Sequence, residues 1–300
     1  MSEQLSKSEI KKQIINSAIE EYVNTPKFEK SIAKTALKYG INKKTLTRYL
    51  KEKNIPIIKN SWAYFINENA FDKIDTEEKA YWLGFLYADG YVSSKNNQVG
   101  LELSIKDLSH LEKYKSFLNW DGDIKITKDH QFGTKETINK KGEELYKCRL
   151  IITNNKLHSD LVKLGCVPNK SLILKFPSEE QVPKEFQSAF VRGYFDGDGT
   201  LGLYPHSSKN KNLEESLIIV GTKPFLEKMQ EIIGVGHLLQ KKNCNKLTYR
   251  LSYSTKKAFH AAKTIYKNAT IYLDRKYNIY INEYCPYRAK SVKTEMSTPR

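Results

Sequence analysis

The chain has 300 residues, 39% of them apolar and 28% charged, enough to bury a core in one large domain or two smaller ones plus a module. Its mean hydropathy of −0.59, and the lack of any apolar run near the roughly 18 residues of a membrane span, exclude a helical membrane protein. Fifty Lys and Arg against 34 Asp and Glu leave a net charge of +16, which points to a polyanionic partner, nucleic acid first.

The N-terminal stretch MSEQLSKSEIKKQIINSAIEEY is charged and carries no apolar signal core, so an intracellular, non-secreted chain is expected. It reads as a helix whose apolar face is Ile10, Ile14, Ile15, Ala18, Ile19 and Tyr22. Residues 27–59 follow with ten Lys or Arg and two Glu, which is half of the whole positive surplus. Within them Ile32, Ala36 and Leu37 mark one helical face, and Gly40 supplies a turn. Asn42 is suited to cap a second helix striped by Leu46, Tyr49 and Leu50. This resembles a helix-turn-helix, with Lys43, Lys44, Thr45, Thr47 and Arg48 placed to face DNA from the second helix. Residues 1–59 are read as this module and 60–74 as a linker.

From Asp75 onward the chain states one pattern twice, over 75–182 and 183–285. Each copy reads helix–strand–strand–helix–strand–strand–helix, an α+β protein with a pseudo-twofold axis. The first copy opens on DTEEKAYWLGFLYADGYV, where Asp75 and Glu78 suit a capping box. A strand follows with Val99, Leu101, Leu103 and Ile105 inward. The second copy opens on KEFQSAFVRGYFDGDGTLGLY. Both opening helices end on an acid followed by glycine, Asp89-Gly90 and Asp198-Gly199. A carboxylate there opposes the helix dipole at a cost of about 0.3–1 kcal/mol. Both helices also carry small residues four apart, Gly84 with Ala88 and Gly193 with Gly197. Such stripes let two backbones touch. If these helices pack on each other, Asp89 and Asp198 meet at the axis. Two carboxylates forced together repel unless a cation intervenes, and hard divalent ions favour oxygen ligands.

On the strands, alternation puts Lys147 and Arg149 on the polar face, with Thr248, Arg250 and Ser252 in the second copy. Glu102 and Ser104, and Lys125 and Thr127, are further candidates for base or phosphate contact. The four cysteines form no CxxC pair and the six histidines no HNH or HExxH cluster, so a zinc centre or disulfide frame is not indicated. The tail from 286 to 300 has no apolar period and is read as disordered.

WLGFLYADG and VRGYFDGDG closely resemble the paired signature of LAGLIDADG homing endonucleases, in their single-chain, two-motif branch. The resemblance spans about residues 70–285. It implies two αββαββα repeats forming a saddle over double-stranded DNA with a long, pseudo-palindromic or asymmetric site. It also implies a monomer that hydrolyses one phosphodiester per strand across the minor groove, leaving 3′ overhangs. Mg²⁺ is the implied cofactor, with Mn²⁺ as a substitute. Asp89 and Asp198 match the motif's final acid and take its metal-ligand role, with the backbone carbonyls of Ala88 and Gly197 as further ligands. The motif's earlier acid is Asp196 in the second copy but Tyr87 in the first. Lys170 in PNKS and Lys276 in LDRK are the candidates for the basic residue near each scissile phosphate; surface lysines are the bland alternative. Such proteins serve mobile introns or intergenic elements. Two other readings keep the fold, namely a DNA-binding regulator that does not cut and an intron maturase whose partner is RNA. Survival of both acids favours the nuclease.

Overall fold

The structure, a computed structural model, describes residues 6–26, 30–57, 64–93, 95–130, 136–138, 141–205, 213–240 and 248–289. It divides into two compact units, Met1–Ile66 with Asn119–Gly122, and Asn67–Leu118 with Asp123–Arg300. Among the described residues no helix is long and apolar enough to cross a membrane.

Among its described residues the first unit is built on three helices, α1 (Lys7–Asn24), α2 (Ile32–Lys38) and α3 (Lys43–Glu52). A reciprocal capping box starts α1: the Ser6 hydroxyl accepts the Glu9 amide, and the Glu9 carboxylate accepts the Ser6 amide at 2.8 Å. The core is Ile15, Ala18, Ile19, Tyr22, Ile32, Ala36, Leu46 and Leu50. Two sequence expectations fail here. Ile10 and Ile14 are open to solvent, because only the C-terminal half of α1 lies over the other two helices. Leu37 is 83% exposed. One residue past Ala36 on a 3.6-residue turn, it rotates off the core face, and Ile41 and Tyr39 pack there instead. Gly40 turns the chain at φ +62°, and the Ile41 amide closes the end of α2 on the Ala36 carbonyl at 2.9 Å. Asn42 then caps α3 by accepting the Lys44 amide at 2.8 Å. Glu21 of α1 fastens the turn through Lys38 at 2.7 Å and Tyr39 at 2.9 Å.

The second unit holds both repeats. The first runs α4 (Glu77–Ala88), β1 (Gly90–Ser93), β2 (Gln98–Ser104), α5 (Leu108–Phe117), β3 (Lys125–Lys128), β4 (Tyr146–Thr153) and α6 (Asn155–Lys163). The second runs α7 (Gln187–Asp198), β5 (Gly199–Pro205), β6 (Leu213–Gly221), α8 (Lys223–Ile233), β7 (His237–Gln240), β8 (Tyr249–Ser254) and α9 (Thr255–Ile265), followed by α10 (Asp274–Ile279). Each repeat forms one antiparallel four-stranded sheet with the same order, β1-β2-β4-β3 and β5-β6-β8-β7. The α+β class with two αββαββα repeats is therefore what the chain adopts. Helices α5 and α6 lie against the first sheet, and α8 and α9 against the second. The covered faces are apolar: Val99, Leu101, Leu103, Cys148, Leu150 and Ile152 in one, Leu217, Ile219, Leu251 and Tyr253 in the other.

Several local expectations change. Thr76, not Asp75, caps α4 by accepting the Lys79 amide at 3.2 Å. Asp75 is drawn instead into ion pairs with Lys73 and Lys79, both at 3.1 Å. Ile105 leaves the strand to begin a 3₁₀ turn over Ile105–Asp107. Residues 67–74 are not a loose linker, since Ala70, Phe71 and Ile74 are buried in the second unit. The tail expected to be disordered from 286 is ordered over its first residues. Helix continues to Ala289, and Arg288 pairs with buried Glu215 at 2.6 Å. Residues beyond 289, like Cys244 and Leu247, lie outside the described residues.

Helices α4 and α7 form the most extensive contact in the second unit. They are buried all round, from Ala80 to Tyr87 in α4 and from Ala189 to Asp196 in α7. Gly84 lies against the Phe190 carbonyl and Gly193 against the Tyr81 carbonyl, each too close for any Cβ. Backbone therefore meets backbone at both crossing points. Gly193→Ala should destabilise the protein by about 3 kcal/mol or more, since the obstructing atom is main chain and cannot rotate away. The midpoint of urea unfolding measures this, and an unchanged midpoint would show that the helices are not locked at this distance.

Candidate active site

The close crossing carries its consequence to the ends of both helices. Asp89 closes α4, its amide bonded to the Phe85 carbonyl at 3.0 Å. Asp198 is the last residue of α7. A Cβ on Gly197 would overlap the Ala88 side chain and lie 3.3 Å from Asp89 Oδ2, so the Asp89 carboxylate rests beside the last turn of α7. The two acids are near enough to sense each other's charge. Burial first, and then Asp198, push Asp89 up to about 6. Burial also raises Asp198, while Lys276, Lys170 and a hydrogen bond from Tyr194 pull it down. Protein surrounds these carboxylates on most sides, yet their residues remain open to solvent. Such a pair is accessible to an incoming ion or phosphate, and strained in its absence.

Both candidate lysines come to this place. Lys170, in a 3₁₀ turn over Lys170–Leu172, is buried and donates to the carbonyl of Gly90, the residue after Asp89. Lys276, on α10, is 4% exposed and donates to the carbonyls of Phe195 and Asp196 at 2.7 Å and of Gly197 at 3.2 Å. Burial lowers Lys276 to about 8. Neither is a surface lysine, so the bland alternative is set aside. Lys276 holds the carbonyl end of α7, where the dipole favours a cation, and Lys170 holds the first carbonyl of β1, just past the end of α4.

The sequence reading gave Asp196 no role beyond its place in the motif, but the structure surrounds it with donors. Its Oδ2 accepts Tyr81 Oη at 2.8 Å and the Leu273 amide at 2.7 Å, and its Oδ1 accepts Tyr266 Oη at 2.8 Å. Tyr81 Oη also lies 3.0 Å from buried His110 Nε2. Leu273 stands at the N-terminus of α10, so Asp196 ties α7 to the helix that carries Lys276. In the first repeat Tyr87 occupies the corresponding place and donates to the Leu164 carbonyl. Arg192 was also missed. Buried in α7, it donates to the Ile271 carbonyl at 2.9 Å and pairs with Glu77. An arginine inside a motif otherwise made of small and aromatic residues was the available signal.

Among the described residues no group of three or more His, Cys, Asp or Glu gathers to hold a metal. What this site offers is two carboxylates with main-chain carbonyls alongside. That set fits a hard cation that keeps waters and takes substrate phosphate oxygens as its remaining ligands. The Gly197 carbonyl already accepts from Lys276, which leaves the Ala88 carbonyl as the less committed of the two expected backbone ligands.

The remaining candidates lie on the uncovered sheet faces or in the first unit. Register places Glu102, Arg149 and Lys125 in one cross-strand row, and Ser104, Lys147 and Thr127 in the next. Lys147 is paired with Glu102 at 2.8 Å, and Thr127 Oγ1 and Arg149 Nε are covered without a hydrogen-bond partner. Ile126 shares the face of buried Leu103 and Cys148 but is 53% exposed, because β3 is the edge strand of its sheet. In the second sheet Arg250 and Ser252 lie in β8, while Thr248 precedes it. In the first unit Lys43, Lys44, Thr47 and Arg48 line a shallow hollow with Lys51 and Glu52. Thr45 is partly buried, and Thr47 Oγ1 is spent on the Lys43 carbonyl at 2.9 Å.

No family model matches the chain, and no curated protein does. Among solved structures it is similar to the LAGLIDADG homing endonuclease I-GzeII in complex with its DNA target, at 12% identity over 71% of this chain and 91% of that one, with a TM-score of 0.47. It is similar to I-LtrWI bound to target DNA, at 12% identity over 74% and 92%, TM-score 0.44. It is also similar to I-SmaMI bound to an uncleaved DNA target with calcium ions, at 14% identity over 73% and 93%, TM-score 0.44.

Proposed function

We propose that the chain is a site-specific double-strand DNA endonuclease of the LAGLIDADG type, dependent on a divalent metal, with its N-terminal helices adding a second grip on DNA. The observation that carries this reading is the pair of acids at glycine-apposed helix ends, flanked by two buried lysines. Structural acids are normally paired or capped. Burial and Asp198 together raise Asp89, and burial raises Asp198 against the pull of Lys276, Lys170 and Tyr194, at a spot open to solvent.

Asp89 and Asp198 would hold Mg²⁺, or Mn²⁺ in its place, with the Ala88 carbonyl. When bound, the metal supplies charge neutralisation at the phosphate and a water of lowered pKa. The chain's own residues do the rest. On this reading the two acids would serve one phosphodiester of each strand across the minor groove, leaving 3′ overhangs. Lys170 and Lys276 keep positive potential where negative charge develops on the phosphate. The sheets' uncovered faces supply contacts to base edges and phosphates. The second helix of the N-terminal unit presents Lys43, Lys44 and Arg48 to the backbone or groove. Such an enzyme serves a mobile genetic element, by intron homing or from an intergenic site.

Asp198→Asn should slow Mg²⁺-dependent linearisation of a target plasmid by at least about a hundredfold while leaving DNA affinity within about threefold. A fully active variant would refute the metal assignment. Specific binding without cutting by the unaltered chain would favour the regulator, and intron RNA binding that aids splicing would favour the maturase.

Asp89→Asn should leave the metal-free protein as stable as the parent at pH 8, or more so. With its pKa raised to about 6, Asp89 binds its proton more tightly folded than unfolded. It therefore costs stability as pH climbs from about 4 through 6, and asparagine removes that loss. Thermal unfolding in EDTA across this range measures the difference, and a variant uniformly less stable than the parent would make Asp89 a structural acid.

Replacing Lys43, Lys44 and Arg48 together with alanine should weaken DNA binding and flatten the salt dependence of the affinity by about two to three units of slope. An unchanged slope would mean that these side chains do not meet phosphate.

A further inference from the structure

The two sheets share one topology, so equivalent positions can be matched through their registers. Gly90 pairs with Leu101 in the first sheet, and Gly199 with Ile219 in the second. Two rows then correspond. In the first, Arg149 stands between Glu102 and Lys125. In the second, Arg250 stands between Val220 and Leu239. The neighbouring row differs as well: Ile218 pairs with Thr200 where the first sheet sets Gly100 against Tyr91.

In the row about its arginine the second sheet is thus apolar where its twin is charged, whereas the neighbouring row holds an apolar side chain in both, Ile218 in the second and Tyr91 and Ile151 in the first. Leu239 is 51% exposed, Arg250 is exposed, and Val220 and Ile218 are half-buried. None of the three apolar residues turns to the helix-covered side, which Leu217, Ile219 and Leu251 fill completely. In a chain of net charge +16 this face also carries an arginine at its centre. A hydrophobic protein partner would meet that arginine unpaired, whereas a DNA major groove uses both. Arginine reads guanine O6 and N7, and the one apolar feature of the groove's floor is the thymine 5-methyl group.

We infer that the second sheet selects thymine by its methyl group, with Val220 and Leu239 flanking the contact that Arg250 makes to guanine. The matching row of the first sheet, with Glu102 and Lys125 about Arg149, makes no such selection. This rests on the reading that the sheet faces meet target DNA. It makes the target chemically asymmetric at this row, one half read through methyl contacts and the other through charged ones.

The experiment uses the full chain and the site it selects from a randomised DNA library with Mg²⁺, the half facing the second sheet being the one where Arg250→Ala loosens the footprint. Thymines are replaced by deoxyuridine, which removes only the methyl, in one half at a time. Affinity should fall about fourfold for each contacted methyl in the second-sheet half, and less than twofold in the other. Val220→Thr with Leu239→Gln should abolish that sensitivity, with unfolding of the metal-free variant as the control for folding. Equal or absent methyl effects in the two halves overturn this inference, as does a selected second half without thymine beside the guanine. Failure of the unaltered chain to select any DNA overturns the proposed function itself, and this inference with it.

Discussion

The contact of α4 with α7 at Gly84 and Gly193 is the constraint on which the rest of the second unit depends. Carbonyl oxygens sit where side chains would stand, so the helices cross with main chain touching main chain. That closeness fixes where the helices end, and both end on carboxylates. Most of the burial around the crossing is aromatic, with Tyr81, Trp82, Phe85, Phe190, Tyr194 and Phe195 wrapped about the two glycines. The hydrophobic gain from these rings offsets a local expense that neither helix would bear alone: an acid against a negative dipole end, beside a second acid. Lys170 and Lys276 relieve part of it as nearby positive charges, held on the Gly90 carbonyl just past α4 and on the last carbonyls of α7.

Features that follow from strict periodicity were legible in the sequence. Strand alternation sorted Lys147 and Arg149 from Cys148, Leu150 and Ile152, and the small-residue spacing on α4 and α7 foretold a close crossing. Features decided by competition between neighbours were not legible. Thr76 and Asp75 can both cap a helix, and two nearby lysines claimed the aspartate. Leu37 looked like core, but a two-turn helix has room for few inward positions, and Ile32, Thr35 and Ala36 fill them. The stretch 67–74 reads as polar linker because Asn67, Glu68, Asn69, Asp72 and Lys73 outnumber its three buried residues, which turns rather than a helix or strand hold in place. Asp196 was hidden for another reason. Its partners Tyr81, Tyr266 and Leu273 come from segments far apart in the chain, and no local pattern announces a meeting of that kind.

The two repeats agree where the backbone must be shared and differ where it need not be. Helix crossing, strand order and the terminal acids match closely. Inside that frame the second motif has Asp196 and the first has Tyr87, and this single difference propagates. A buried carboxylate needs several donors. Asp196 finds them in two tyrosines and the amide that begins α10, which draws that helix against α7. Lys276 then reaches three carbonyls from a fixed helix. A phenol needs only one acceptor, and Tyr87 is satisfied by the Leu164 carbonyl. Lys170 approaches from a short 3₁₀ turn and meets one carbonyl, that of Gly90. A homodimer of one repeat could not hold this distinction, because every substitution would appear in both halves. Joining the repeats in one chain lets the shared centre stay symmetric while each flank takes its own chemistry. The same freedom separates the Glu102–Arg149–Lys125 row from the Val220–Arg250–Leu239 row on the sheets.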